Sequence, residues 1–443
     1  MQPMHTSFLA AVALSFAAQA APELGVYRWD APTGPANIDN FSVWLGQPVS
    51  IATAFEPRAT WDDIDGSAWQ LAPWSQWVRA QPGRNLSLAI PMLPASGASL
   101  AGCGAGQYDV YWRNLANELA VYGLHWAYLR LGWEMDGSWY AWTAAPGSGR
   151  EASYAACFRR VVQVMRQAQP ANQWKFVLNV TANWRSRAYL DAIWPGDAYV
   201  DVLAMDLYDQ SWAANTYPYP ATCDAACRLA RQQGAWADYS AILYTLRDFA
   251  LAHGKPLALP EWGVALRPDG HGGGDNPYFI RNLYEFIREP ANNVAYHSYW
   301  DVSAGDIDGR LTDSVTGDSP SGATRFPQSA ALFKQLFGPA APTPPAPPPV
   351  AGPTGVMFLA PAANAMLSGA FRSSSLCEVS GTGIRRVVFF LDQKKLNTDT
   401  AAPWNCTINT RHFANGPHTL RAVAYDSAGA STTIERAVHI LNP

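Results

Sequence analysis

Two glutamates offer the plainest chemistry in this sequence. Glu134 stands in Arg-Leu-Gly-Trp-Glu-Met-Asp-Gly-Ser-Trp-Tyr-Ala-Trp, residues 130–142, and Glu261 in Lys-Pro-Leu-Ala-Leu-Pro-Glu-Trp-Gly, residues 255–263. Each closes a short apolar run, and each has indole beside it. A carboxylate among Trp133, Trp139, Tyr140 and Trp142 is poorly solvated, which favours its neutral, proton-donating form. Such a pair suits glycoside cleavage: one carboxyl protonates the leaving oxygen while the other attacks the anomeric carbon or activates water. A retaining pair stands about 5–5.5 Å apart. Carboxylates that close hold one proton more tightly, so the acid should titrate above its free value of about 4.3.

Both glutamates then need a scaffold that brings distant strand ends together. Apolar runs at 24–29, 49–55, 85–92, 126–131, 175–180, 200–205, 257–259 and 294–299 read as eight strands. Helical spacing falls between them, carried by Tyr108, Trp112, Leu115, Leu119 and Tyr122, by Tyr154, Phe158, Val161 and Met165, and by Ile242, Leu246, Phe249 and Ala250. This alternation predicts an α/β fold, a (β/α)8 TIM barrel over residues 21–337, whose chemistry sits at the C-terminal strand ends. An open doubly wound sheet would place a Gly-rich turn after its first strand, and none is there. Residues 338–353 are a Pro-rich linker. Residues 354–443, with strands expected at 356–359, 385–392 and 419–426 between Gly, Asn and Pro turns, read as a small all-β sandwich.

Composition narrows the function classes. The 443 residues carry a formal net charge of −4 and no run of Lys or Arg, which argues against a nucleic-acid partner. The 19 Trp exceed ordinary core needs and suit stacking on the C–H faces of sugars. Residues 7–20 form a short apolar run ending Ala-Gln-Ala, the pattern of a secretory signal peptide over 1–20 and too short for a membrane span. Six cysteines agree with export: Cys103 with Cys157, Cys223 with Cys227 and Cys377 with Cys406 are the expected disulfides. Zinc is the rival for Cys223 and Cys227, but no further ligand follows at useful spacing.

The 130–142 segment resembles the acid/base signature of glycoside hydrolase family 26, and Leu-Pro-Glu-Trp-Gly resembles that family's nucleophile strand. The likeness covers roughly residues 24–337. It implies a retaining endo-β-glycanase on a (β/α)8 barrel, chiefly a mannanase, with Glu134 as acid/base, Glu261 as nucleophile and no metal or organic cofactor. It also implies that Tyr208 hydrogen-bonds Glu261 and keeps it ionised. Two positions depart from the family pattern: Trp133 stands where many members have His, and Asp136 where Asn is common. That His helps hold the sugar, so its replacement leaves mannan specificity open among mannan, glucan and xylan. The C-terminal segment resembles bacterial immunoglobulin-like modules of secreted polysaccharidases, which space or dock the enzyme or contact glycan or cell surface.

The remaining candidates surround this pair. Arg130 can orient Glu261 or pair with another buried carboxylate. Asp206, Asp209 and Asp301 follow strands six and eight as possible substrate ligands or orienting groups. Trp139, Trp142, Trp184, Trp212 and Trp300 are expected to stack on sugar rings, Trp300 at the floor of the cleft. Trp133, Asp136, Tyr208 and Trp262 complete the expected substrate-binding set. Gly-His-Gly-Gly-Gly at 270–274 lacks the Gly-Lys-[Ser/Thr] ending of a phosphate cradle and reads as a mobile loop over the cleft. Two other functions remain open: a non-catalytic glycan-binding protein that has kept the cleft, and an enzyme that passes its covalent sugar to another sugar.

Overall fold

Apolar runs without polar alternation bury both faces, and those between residues 21 and 312 join one parallel sheet. The strands are β1 (Glu23–Tyr27), β2 (Ile51–Phe55), β3 (Asn85–Ile90), β4 (Tyr128–Leu131), β5 (Lys175–Val180), β6 (Val202–Met205), β7 (Leu207–Tyr208), β8 (Leu257–Gly263) and β9 (Val294–Trp300). They run in the order β6-β5-β4-β3-β2-β1-β9-β8, and β6 pairs with β8 to close the cylinder. β7 continues β6 after Asp206 and also pairs with β8. The result is an eight-place parallel barrel. The computed structural model describes residues 21–184, 186–312, 324–339, 352–371, 377–427 and 429–442. The expected signal segment, 1–20, and all of the expected linker except residues 338, 339, 352 and 353 lie outside the described residues. No helix among the described residues is long and apolar enough to cross a membrane.

Inside the cylinder, Ile51, Val177, Val202, Ala204, Ala258 and Tyr296 form an apolar plug. Alternation along a strand places Val177 and Asn179 on one face, as it does Ala204 and Asp206. The next layer toward the C-terminal ends is therefore polar. Helices cover the outside: Glu151–Ala168 buries Tyr154, Phe158, Val161 and Met165, and Pro277–Arg288 buries Phe279, Ile280, Leu283, Phe286 and Ile287.

Several limits differ from those expected. The fourth strand starts at Tyr128, because Trp126 lies on the preceding turn and is 59% exposed. The seventh runs on through Glu261 to Gly263. The pattern at 242–250 is only the buried end of a 28-residue helix, Ala225–Ala252, whose first half lies mostly in solvent and so lacks periodicity. Asp224 caps that helix by accepting from Cys227 N at 2.8 Å.

Residues 341–443 form a second unit. A five-stranded sheet built on the hairpin Gly416–Tyr425 and Ser431–Ile440 accompanies a three-stranded one, Thr354–Ala360, Glu378–Thr382 and Trp404–Asn405. Phe358, Val379, Val387, Phe389, Leu391, Leu420, Ala422 and Val438 make its core. All six cysteines are paired, Cys103–Cys157, Cys223–Cys227 and Cys377–Cys406.

Candidate active site

Past Leu131 the chain leaves the sheet through two left-handed residues, Gly132 at φ 53° and Glu134 at φ 54°. A Cβ at Gly132 would meet Met92 Cε at 2.8 Å and Trp142 Cδ1 at 3.1 Å, so space as well as dihedral favours glycine. A left-handed glutamate costs about 1–3 kcal/mol and persists only where its surroundings fix it. Here Glu134 N donates to Asn179 O at 2.9 Å, and Gly137 N to Glu134 O at 3.0 Å. Trp142 Nε1 donates to Trp133 O at 2.8 Å. Asp136 ties the turn to the end of β5 by accepting from Thr181 N and Thr181 Oγ1 at 2.8 and 2.7 Å.

Glu261 arrives from β8, across the barrel mouth. Arg130 is fully buried and organises the polar layer: Nη2 donates to Glu261 Oε1 and, at 2.9 Å, to Asp206 Oδ2, while Nε donates to Asn179 Oδ1 at 2.7 Å. Tyr208 OH donates to Glu261 Oε2 at 2.8 Å, so each oxygen of Glu261 accepts one bond. One oxygen from each of Glu134, Asp206 and Glu261 lies within 4.8 Å of the other two. Three carboxyls at that spacing can hold a cation, but the Arg130 guanidinium already bridges two of them.

The electrostatics separate the carboxyls. Glu134 keeps partial solvent contact, yet burial and then the Glu261 charge push its carboxyl up to about 8. Trp139 Nε1, donating to Glu134 Oε2 at 2.9 Å, pulls the other way. Burial also raises Asp206 well above the usual carboxylate range; Arg130 opposes the rise, and the Glu261 and Glu134 charges add to it.

The structure spreads the other expected site residues unevenly. Trp139 and Trp212 are 53% and 57% exposed. Trp139 donates its N–H to Glu134 and keeps more than half of its surface in solvent, and Trp212 is flanked by His271 at 5.2 Å and the Arg267 guanidinium at 5.0 Å. Trp300 is partly exposed, stacked on Tyr27 at 4.4 Å and set edge-on to Tyr208 at 5.9 Å. Trp142, Trp184 and Trp262 must be removed from the sugar-binding set, because each is buried with no ring face to offer. Trp142 lies against Tyr140, and Trp262 faces outward into Phe279 and Phe333. Trp133 is nearly buried, packed on Phe55 and Trp142 with Nε1 donating to Tyr140 OH at 3.1 Å. Asp136 also leaves the substrate set, since Thr181 takes both its oxygens.

Asp209 and Asp301 are buried structural acceptors. Asp209 takes bonds from Tyr217, Tyr239 and Asn276 at 2.8, 2.9 and 2.8 Å, and burial pushes it up to about 6. Asp301 pairs with Arg28 at 3.3 Å and accepts from Leu311 N and Thr312 Oγ1. The glycine loop is not the free flap expected. Gly273 N donates to Asp209 O and Gly274 N to Ala265 O, both at 2.9 Å, and a Cβ on Gly273 would lie 1.9 Å from Asp209 Oδ2. Gly272 and Gly273 serve close packing, while Gly270 and Gly274 take positive φ.

Sequence reasoning missed Asn179, Tyr27 and Asp30. Asn179 is the lone polar side chain inside an apolar strand, and that isolation was its signal. Asp30 accepts from Phe55 N at 2.8 Å and Tyr27 OH at 3.2 Å. Burial pushes it up to about 6, and Glu261 adds to the rise.

Comparison with known proteins places this geometry. The family model described as "Glycosyl hydrolase family 26" matches residues 116–239, which hold Arg130, Glu134, Asn179, Asp206 and Tyr208 and stop short of Glu261. "Bacterial Ig domain" matches residues 356–422. Endoglucanase H of Acetivibrio thermocellus is 24% identical over 240 residues, 53% of this chain and 22% of that protein. A mannan endo-1,4-beta-mannosidase of Bifidobacterium adolescentis is 28% identical over 174 residues, 38% of this chain and 15% of that one. The chain thus spans less than a quarter of the length of either relative. The catalytic domain of a family 26 endo-beta-1,4-mannanase from Bacillus sp. JAMB-750 superposes with a TM-score of 0.52 at 15% identity, over 72% of this chain and 87% of that one, which shows a shared fold. By these matches residues 116–239 are similar to glycosyl hydrolase family 26 and residues 356–422 to bacterial Ig domains.

Proposed function

We propose that the barrel hydrolyses internal β-glycosidic bonds of a polysaccharide with retention of configuration, β-mannan ahead of glucan or xylan. The observation that carries this reading is the approach of Glu134 and Glu261 oxygens to within 4.8 Å at the barrel mouth. Retaining enzymes hold their carboxyls about 5–5.5 Å apart, whereas inverting ones leave about 6.5–9.5 Å for a water.

The roles divide by environment. Glu134, neutral below its raised value, protonates the glycosidic oxygen as the bond breaks. Glu261, steered by Arg130 and Tyr208, attacks the anomeric carbon and forms a glycosyl-enzyme. Glu134, now a carboxylate, takes a proton from water, which opens that intermediate. Trp300, backed by the buried Tyr27, makes an apolar floor on which a sugar can rest. Three disulfides support folding in an oxidising compartment, hence export. The Ig unit would space the barrel from, or dock it to, a glycan or cell surface.

Mannan, glucomannan, mixed-linkage glucan and xylan are digested in parallel, and the anomer formed first is read by NMR. Early β product from mannan, lost at least a thousandfold in Glu261→Ala, is expected. Early α product, or unchanged release by Glu261→Ala on every glycan, overturns the assignment.

A further inference from the structure

The barrel has a second face, and the mechanism uses none of it. At the N-terminal ends of β1, β3 and β4, a pocket of about 230 Å³ is lined by Glu23, Arg84, Asn85, His125 and Trp126 among others. Chemistry in this fold belongs to the C-terminal ends. The six residues of β3 alone put about 20 Å between the two faces.

Trp126 lies on the turn entering β4 with 59% of its surface exposed, although a short apolar run leads on from it into the core. Its backbone is fixed: Asn85 Nδ2 donates to Trp126 O at 3.0 Å, and Asn85 Oδ1 accepts from Leu86 N at 2.8 Å. The indole carried on that backbone is more than half exposed. Arg84 forms part of the wall. Its side chain is only 7% exposed and lies over the Trp77 ring at 4.3 Å. Nη1 donates to Trp77 O at 3.3 Å and Nη2 to Asp39 Oδ1, while the buried Nε has no partner among the described residues. Glu23 adds an acceptor, held by Tyr128 OH at 3.2 Å, and His125 adds a ring anchored to Asn172.

We infer that this pocket is a second glycan-binding site, taking a neutral β-linked oligosaccharide segment with one sugar face on Trp126 and hydroxyls on Glu23, Arg84 and His125. An indole plate beside both a donor and an acceptor suits a polyhydroxylated ring. The one cation in the wall, Arg84, is already paired with Asp39 and faces the Glu23 carboxylate across the pocket lining, so the wall has no excess positive charge for an anionic ligand such as a nucleotide or phosphate. The inference rests on the proposed polysaccharide substrate. A polymer held on the rear face while another stretch threads the mouth stays near the enzyme between cleavages, through effective concentration.

The test uses the full chain, its Trp126→Ala variant and Trp126→Phe, which keeps a ring. Native gels cast with soluble glucomannan or mixed-linkage glucan read retention, and kinetics are taken on those polymers and on an aryl trisaccharide too short to bridge the faces. Retention is expected to fall at least threefold and KM on polymer to rise at least threefold in Trp126→Ala. Trp126→Phe should recover most of both, with trisaccharide kinetics and melting temperature unchanged. Equal retention by all three proteins overturns the second site. So does an equal loss on polymer and trisaccharide, which would mark a structural role. If no glycan is cleaved, the proposed function fails by itself, and gel retention still decides the inference.

Discussion

Trp139→Phe tests how the acid is tuned, because it keeps a ring while deleting one donor. Trp139 Nε1 donates to Glu134 Oε2 at 2.9 Å. A hydrogen bond to a charged group contributes about 1.5–3 kcal/mol. Trp139 is more than half exposed, and solvent returns part of that, leaving about 1 kcal/mol. One pKa unit corresponds to about 1.36 kcal/mol, so the change should approach one unit. Its sign follows from which form is favoured: an N–H donor stabilises the carboxylate, so its removal makes the proton harder to lose. The assay is kcat/KM against pH on soluble mannan. Activity should fall on the basic side as Glu134 ionises near its raised value of about 8. In Trp139→Phe that basic limb should move up by about half to one unit, with the acidic limb in place. A limb that stays put or moves down refutes the role, and a rise in KM alone would mark Trp139 as a sugar-stacking residue only.

The other predictions concern stability. Arg130→Met leaves two buried carboxylates without their cation and should cost about 3–5 kcal/mol in urea unfolding, with activity lost. Glu134→Gln should stabilise the barrel by about 1–2 kcal/mol at pH 7.5 and by less at pH 5. The folded pKa lies above the unfolded one, so the wild type's contribution is complete below the ordinary value and lost as pH rises through about 8; glutamine never ionises. A gain that is equal at both pH values would contradict this. Gly273→Ala should lower thermal stability by about 1–3 kcal/mol through the clash with Asp209, whereas Gly234→Ala should gain about 0.5–1 kcal/mol, being inside a helix with only ordinary contacts. Replacing both Cys103 and Cys157 by Ala opens a 54-residue separation and should cost about 4 kcal/mol.

What the sequence revealed follows from how local each cause is. Eight apolar runs and the spacing between them are local, and they lead directly to the barrel. The glutamates stood out because a charge closing an apolar run needs a reason. Arg130 came from the same logic and Tyr208 from the family resemblance, and both meet Glu261 in space. Trp142, Trp184 and Trp262 failed because sequence gives the type of a ring and not the face it turns to; Trp262 alternates with Glu261 along β8 and so must point out of the barrel toward the helices. The glycine loop was misread for a similar reason. Glycine can mark motion or crowding, and only the 1.9 Å approach to Asp209 distinguishes them. Trp126 was assigned to a strand interior because its neighbours are apolar, although it lies on the surface.

Arg130 stands alone among three close carboxyls, and that imbalance reaches beyond the residues it holds. With Glu134 protonated, the Glu261 carboxylate still faces the cleavage point, which favours a ring gathering positive charge as its bond to the leaving group stretches. The same field opposes any sugar that brings a carboxylate of its own. Uronic-acid polymers should therefore be rejected at the cleavage point at low ionic strength, while uncharged backbones are admitted.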